Sequence, residues 1–222
     1  MKPTHLILLL LLLIGCREQS EPPRSFGDRQ LTQMLQDRPD MRNVVSASDP
    51  IWIWASSAFD GNLTGKRIYW NANSPTSGRS AEHLPAYGGY PASIFISGGS
   101  EESPIDKWAG LVFELNNVAC INLEELYAES ILGKHSAESF ARACVRQEFE
   151  ALELTRRQFE KHPIAGAKAK RDVWYTWVME DLPTFEEYEN LWKVHDSRSE
   201  SNFKYFQDYY LQYIQPNLAT EQ

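Results

Sequence analysis

The apolar positions of this chain change period along its length, and the changes mark its elements. Leu6 to Ile14 is an unbroken apolar run of nine residues. As a helix it covers about 14 Å, under half of a ~30 Å hydrocarbon core, so it is too short to span a bilayer. Arg17 to Arg29 (REQSEPPRSFGDR) is polar, carries two prolines and has little to bury, which predicts a tether. Asp28 to Arg38 predicts a short helix halted by Pro39. IWIWA (51–55) and RIYWNAN (67–73) are runs of β-branched and aromatic residues on either side of SSAFDGNLTGK, so two strands joined by a loop are expected. NSPTSGRSAEHLPAYGGYP (73–91) predicts a long loop, and ASIFIS (92–97) a third strand.

Beyond residue 100 the period becomes helical. Ser103-Pro104-Ile105-Asp106 combines an N-cap serine, a proline at the first position and an acid in the first turn, opening a helix to about Cys120. A short helix over Leu123 to Leu132 ends at Gly133, and Ser136 caps a long one that reaches His162 before Pro163. DVWYTWVM (172–179) fits a strand or a helix equally. Thr184-Phe185-Glu186-Glu187 is a capping box for a helix interrupted near Asp196 to Ser201. It resumes through FKYFQDYYLQYI, with Phe203, Phe206, Tyr210 and Tyr213 on one face. Strands early and helices late predict an α+β fold, a small N-terminal β-sheet followed by a mainly helical half.

The apolar run ends in Leu13-Ile14-Gly15-Cys16, which resembles the lipobox of bacterial lipoproteins. There, cleavage falls before the cysteine, which is then acylated on its thiol and amine. The resemblance implies a signal peptide at 1–15, a lipidated tether at 16–29 and one α+β domain at 30–222. Its first partner is then the lipid bilayer, reached through acylated (palmitate-type) Cys16; several acyl chains anchor stably where one is marginal, at about 0.8 kcal/mol per buried methylene. Arg17, in place of an aspartate, implies export to the periplasmic face of the outer membrane in a Gram-negative source. In a Gram-positive source the chain sits on the outer face of its only membrane.

Removing residues 1–15 from the 222 leaves 207, about one domain. Loss of Lys2 moves the formal charge from -8 to -9, which argues against nucleic acid and against electrostatic attraction to anionic lipid. The seven Trp, ten Tyr and ten Phe supply a core or, alternatively, a sugar-binding platform. With Cys16 acylated, Cys120 and Cys144 remain. On two helices that a short connection makes antiparallel, they form either a disulfide or a pair of buried free thiols.

One acid stands out. In WAGLVFELNN (108–117), Trp108, Leu111, Val112, Leu115 and Ala119 form an apolar stripe, while Phe113 lies opposite with Gly110, Asn117 and Cys120. The helix is therefore expected to be covered on two sides, with Glu114 at the border of the second face beside Asn117. Glu148 likewise falls within the stripe Phe140, Ala141, Cys144, Val145, Leu152 and Phe159. Two such carboxylates either bond structurally or mark a site with raised pKa values.

FELNN (113–117) resembles the H-E-x-x-H helix of zincin metallopeptidases, with Glu114 in the place of the general base and Glu148 as a possible third ligand. Phe113 and Asn117 stand where the two histidines would be. Phe cannot ligate zinc and Asn is a poor ligand, and His83, His135, His162 and His195 are dispersed, so the resemblance implies a fold without zinc or other cofactor. There is no G-x-S-x-G. Glu114 with Glu148 or Glu150 are the formal pair for a two-carboxylate glycosidase. The expected function is a non-catalytic binding or structural component of the envelope with a protein or envelope partner; the alternative is an envelope hydrolase, zincin-like or glycosidic.

Overall fold

The computed structural model describes residues 25–45, 49–62, 67–71, 81–84, 93–97, 102–120, 123–194 and 202–218. The expected signal peptide, Cys16, the first part of the tether and the interruption at 196–201 lie outside these residues. The fold is α+β and mostly helical.

Ser25 accepts a hydrogen bond from Asp28 N–H at 3.0 Å and so starts α1 at Phe26–Asp37. Residues 26–29, read as the end of the tether, are therefore helical. A 3-10 turn at Pro39–Asn43 follows. The next segment corrects the reading of IWIWA as a strand: it is helix α2, Pro50–Asn62. Asp49 accepts the Ile51 N–H at 2.8 Å and Pro50 sits in the first turn, the same start signal as Ser103-Pro104. The helix buries Ile51, Trp52, Ala55 and Ser56, a spacing that no strand could place on one side.

Among the described residues the sheet has three strands, β1 (Ile68–Asn71), β2 (Ala81–Leu84) and β3 (Ser93–Ser97), in the order β1-β3-β2. β1 runs parallel to β3, with Ile68 opposite Ile94; β2 runs antiparallel to it, with His83 opposite Ile94. β2 corrects the expected loop at 73–91. Its sequence, AEHL, lacks β-branched residues and gives no strand signal. Among the described residues two helices thus precede the sheet, where only the one at Asp28 to Arg38 was expected.

The helical part is α3 (Pro104–Cys120), α4 (Leu123–Ile131), α5 (Ala137–Lys161), α6 (Val173–Glu180) and α7 (Phe185–Val194). α8 (Asn202–Tyr209) continues through a π turn, Tyr210–Ile214, into a last turn, α9, at Gln215–Leu218. Gly133 takes φ 73°, closing α4 as the left-handed residue that glycine supplies without strain. Ser136 and Ser139 cap α5 reciprocally, and Thr184 with Glu187 caps α7. DVWYTWVM resolves as helix. The π turn alters the expected aromatic face: Phe203, Phe206 and Tyr210 are buried, but the wider turn leaves Tyr213 exposed and brings Ile214 inward.

Two apolar clusters form the interior. The first gathers α1, α2, the sheet and most of α3; the second gathers α5, α7 and α8. Trp174 packs against both. α3 lies at the centre, touching α2, β2, β3, α5 and α6. It is buried from Ile105 to Val112 and from Glu114 to Asn117, so it is enclosed on all sides and not only two. Only its last turn emerges, with Ala119 exposed.

Candidate functional site

Glu114 and Asn117, singled out by sequence, are polar groups on this enclosed helix, and each needs a partner. Glu114, 5 % exposed, accepts a hydrogen bond from Asn117 Nδ2 at 3.0 Å. Three residues apart on a helix, the two side chains are neighbours by geometry alone. Phe113 faces the second cluster, its ring centroid 5.7 Å from that of Trp174. Asn116 points toward α5, donating to Thr155 Oγ1 at 2.9 Å and Gln158 Oε1 at 3.1 Å.

These contacts set the register of α3 against α5. Asn116 meets Thr155 and Gln158, whereas Cys120 lies near Glu150, whose charge together with burial raises the Cys120 thiol's pKa, burial being the larger cause. The helices are therefore antiparallel, and Glu148 stands about 12 Å farther along the common axis than Glu114. Glu114 is also about 160° round α3 from Asn116, the residue that faces α5. On this register the candidate pair Glu114 and Glu148 is not brought together. Glu148 is half-buried and Glu150 exposed. The same register separates the cysteines. Cys144 is six residues, about 9 Å, past the level of Cys120, beyond the Cα spacing of a disulfide. Both are free thiols, and burial pushes Cys144 above the ordinary thiol range, with Glu148 adding to it.

Two further polar groups on α3 carry most of its connections. Asp106, 5 % exposed, accepts the Tyr175 N–H at 2.9 Å and also bonds the N–H groups of Trp174 and Val173. It therefore caps α6 from another helix. Burial, the largest cause, raises its pKa despite these donors. Asp172, the residue before α6, is fully buried and turns away from its own helix, accepting Lys168 N–H at 2.6 Å and Arg171 Nε at 3.1 Å and bonding the Ser103 side chain. Burial opposes its ionisation, but these donors together hold its carboxyl below the ordinary range. Ser103 also accepts Asp106 N–H at 3.0 Å. The start of α6 is thus closed by Asp106 of α3, and the Ser103 that caps α3 is held in turn by Asp172.

Lys107, 1 % exposed, lies on the same side of α3 as Glu114, two turns earlier. Burial lowers its pKa and the Arg38 cation adds to this, against the pull of Asp40 and Glu102. Arg38 itself holds Asp40 through two bonds of 3.1 and 3.0 Å and lies 4.8 Å from the Trp70 ring centre. Asp106 thus connects α3 to α6 and Asn116 connects it to α5, while Glu114 is bonded by Asn117 within the helix.

Among the described residues, none gathers to fit the zinc of the zincin-like motif. Phe113 is a core ring against Trp174, the Asn117 amide donates to Glu114, and Glu148 is remote from both. His83 lies on β2, and His135 bonds Glu129 at 3.4 Å; His195 lies outside the described residues. Among the described residues, no three His, Cys, Asp or Glu side chains gather as a metal site. Away from α3, a surface cleft of about 540 Å³ lies between α5 and α7. In it Arg142 pairs with buried Glu189 at 3.2 Å, and Arg146 lies 3.2 Å over the Phe185 ring. No periodic signal pointed to that cleft, because its residues come from helix faces that read as ordinary solvated surface. No protein-family model, curated protein or solved structure matches the chain.

Proposed function

We propose that this chain is a lipid-anchored protein of the bacterial envelope, cleaved before Cys16 and acylated there, whose α+β domain acts as a binding or structural component and not as an enzyme. The observation that carries the reading is Leu13-Ile14-Gly15-Cys16 at the end of a nine-residue apolar run too short to span a bilayer. Arg17 favours the outer membrane where the source is Gram-negative. The engagement of Asp106 and Asn116 in bonds between helices, and of Glu114 with Asn117 within α3, supports a non-catalytic role. A general base must reach a substrate proton, and Glu114 is enclosed and bonded to Asn117. The zincin-like reading of residues 113–117 is then a likeness of position, with Phe113 and Asn117 given over to packing and to holding Glu114.

Growth with a labelled fatty acid tests the anchor. The wild-type chain should carry label and partition into the detergent phase, and Cys16→Ser should carry none. Equal labelling of the two, or none in either, refutes acylation at Cys16.

A further inference from the structure

Helix α2 has an outward face unlike that of an ordinary surface helix. With Ile51, Trp52, Ala55 and Ser56 turned into the core, the outer positions are Pro50, Ile53, Trp54 and Ser57. These recur at i, i+3, i+4 and i+7, one continuous stripe. None is charged, and residues 50–59 (PIWIWASSAF) contain no ionisable side chain at all. Ile53 is 60 % exposed, and Trp54 beside it is half-buried, with one side packed against the first apolar cluster. A helix at a water-facing surface carries polar and charged residues on its outer side. An uncharged face with tryptophan and an aliphatic side chain instead matches the boundary between lipid headgroups and acyl chains.

A second observation places this face. Ser25, the first described residue, bonds α2 directly, its hydroxyl 3.1 Å from that of Ser56. Ser25 is only nine positions after Cys16, and fully extended that stretch reaches at most about 30 Å. A domain of about 200 residues has a radius of gyration near 16 Å and spans roughly 40 Å. The side on which the tether is rooted is therefore the side held toward the bilayer, and α2 borders it at Ser56, about 60° round the helix from Ile53.

We propose that α2 is a membrane-seating face: its Pro50-Ile53-Trp54-Ser57 side lies against the interfacial layer of the bilayer that holds Cys16, with Ile53 and Trp54 at the headgroup–acyl boundary. This rests on the reading of Cys16 as the lipid anchor. The formal charge of -9 on the chain without residues 1–15 gives anionic lipid no general attraction for the domain, so the contact is local and apolar. Alone it is weak, and it becomes effective because the anchor keeps it beside the membrane. Its consequence is orientation: the domain presents a fixed side outward in place of tumbling on its tether.

The full lipidated chain, reconstituted in phosphatidylcholine vesicles with or without bromine on the acyl chains, separates anchor from seating. Flotation with the vesicles reads the anchor, and quenching of tryptophan fluorescence by the brominated lipid reads the seating. Wild type should float and be quenched, and Trp54→Phe should float but lose that quenching. Ile53→Asp, at an exposed site, should float with an unchanged circular dichroism spectrum and show the same loss. If all three float and are quenched alike, α2 faces water or another protein, and the seating is wrong while the anchor stands. If wild type does not float, the anchor fails and the seating with it.

Discussion

Asp106→Ala should lower the free energy of unfolding by about 3–4 kcal/mol, an effect expected for stranding buried donors of a charged acceptor. The carboxylate of Asp106 receives the N–H groups that open α6, including Tyr175 at 2.9 Å. Alanine leaves them buried and unbonded at the junction where Trp174 joins the two apolar clusters. Asp106→Asn keeps an acceptor and relieves the cost of burying a charge, so it should lose less than half as much. Equilibrium unfolding in urea measures both; equal losses for the two variants would mean that the acceptor is not what matters.

His83 should make the fold acid-sensitive. Burial pushes its pKa from 6.5 down to about 4, and among the described residues its Nε2 has no hydrogen-bond partner. The folded chain therefore keeps the ring neutral where the unfolded chain takes up a proton. The stability that His83 contributes is complete above pH 6.5 and is lost as the pH falls toward 4. The loss amounts to about 3 kcal/mol, since each pH unit between the two values carries 1.36 kcal/mol. His83→Leu, which cannot titrate, should show a flatter stability profile over that range. Asp106 works the other way, because its raised pKa lets it protonate in the fold before it does so unfolded, and this favours the fold on acidification between its raised value and 3.8. The informative quantity is thus the difference between His83→Leu and wild type at pH 7 and at pH 4.5. A constant difference would place the ring in contact with water.

Helix starts were the most legible feature of the chain. Ser103-Pro104, Ser136 and Thr184 each begin a helix in the structure where their side chains cap it, because a cap is a local event within four residues. The Asp49-Pro50 start of α2 carried the same signal, but the alternating Ile and Trp of IWIWA pointed to a strand. Large residues at every position suit either element until the core decides which side is covered. β2 was hidden for the opposite reason: AEHL has no strand propensity and is held by pairing with β3.

The candidate site was half legible. Burial of Glu114 and its bond to Asn117 follow from helical spacing. The separation from Glu148 and the distance between Cys120 and Cys144 depend on how α3 slides along α5, which is set by Asn116 meeting Thr155 and Gln158 some forty residues away. Asp106 shows the same limit. It reads as an acid favouring its own helix, yet its hydrogen bonds go to a helix 69 residues later.

The central claim, that the polar groups of α3 hold the fold together and are not kept for chemistry, is tested most directly by equilibrium unfolding of Glu114→Ala beside the wild-type chain at pH 7. A loss of about 2 kcal/mol is expected, because Asn117 is left with a buried amide that nothing receives. An unchanged or higher unfolding free energy would contradict the claim and mark Glu114 as a strained group maintained for function.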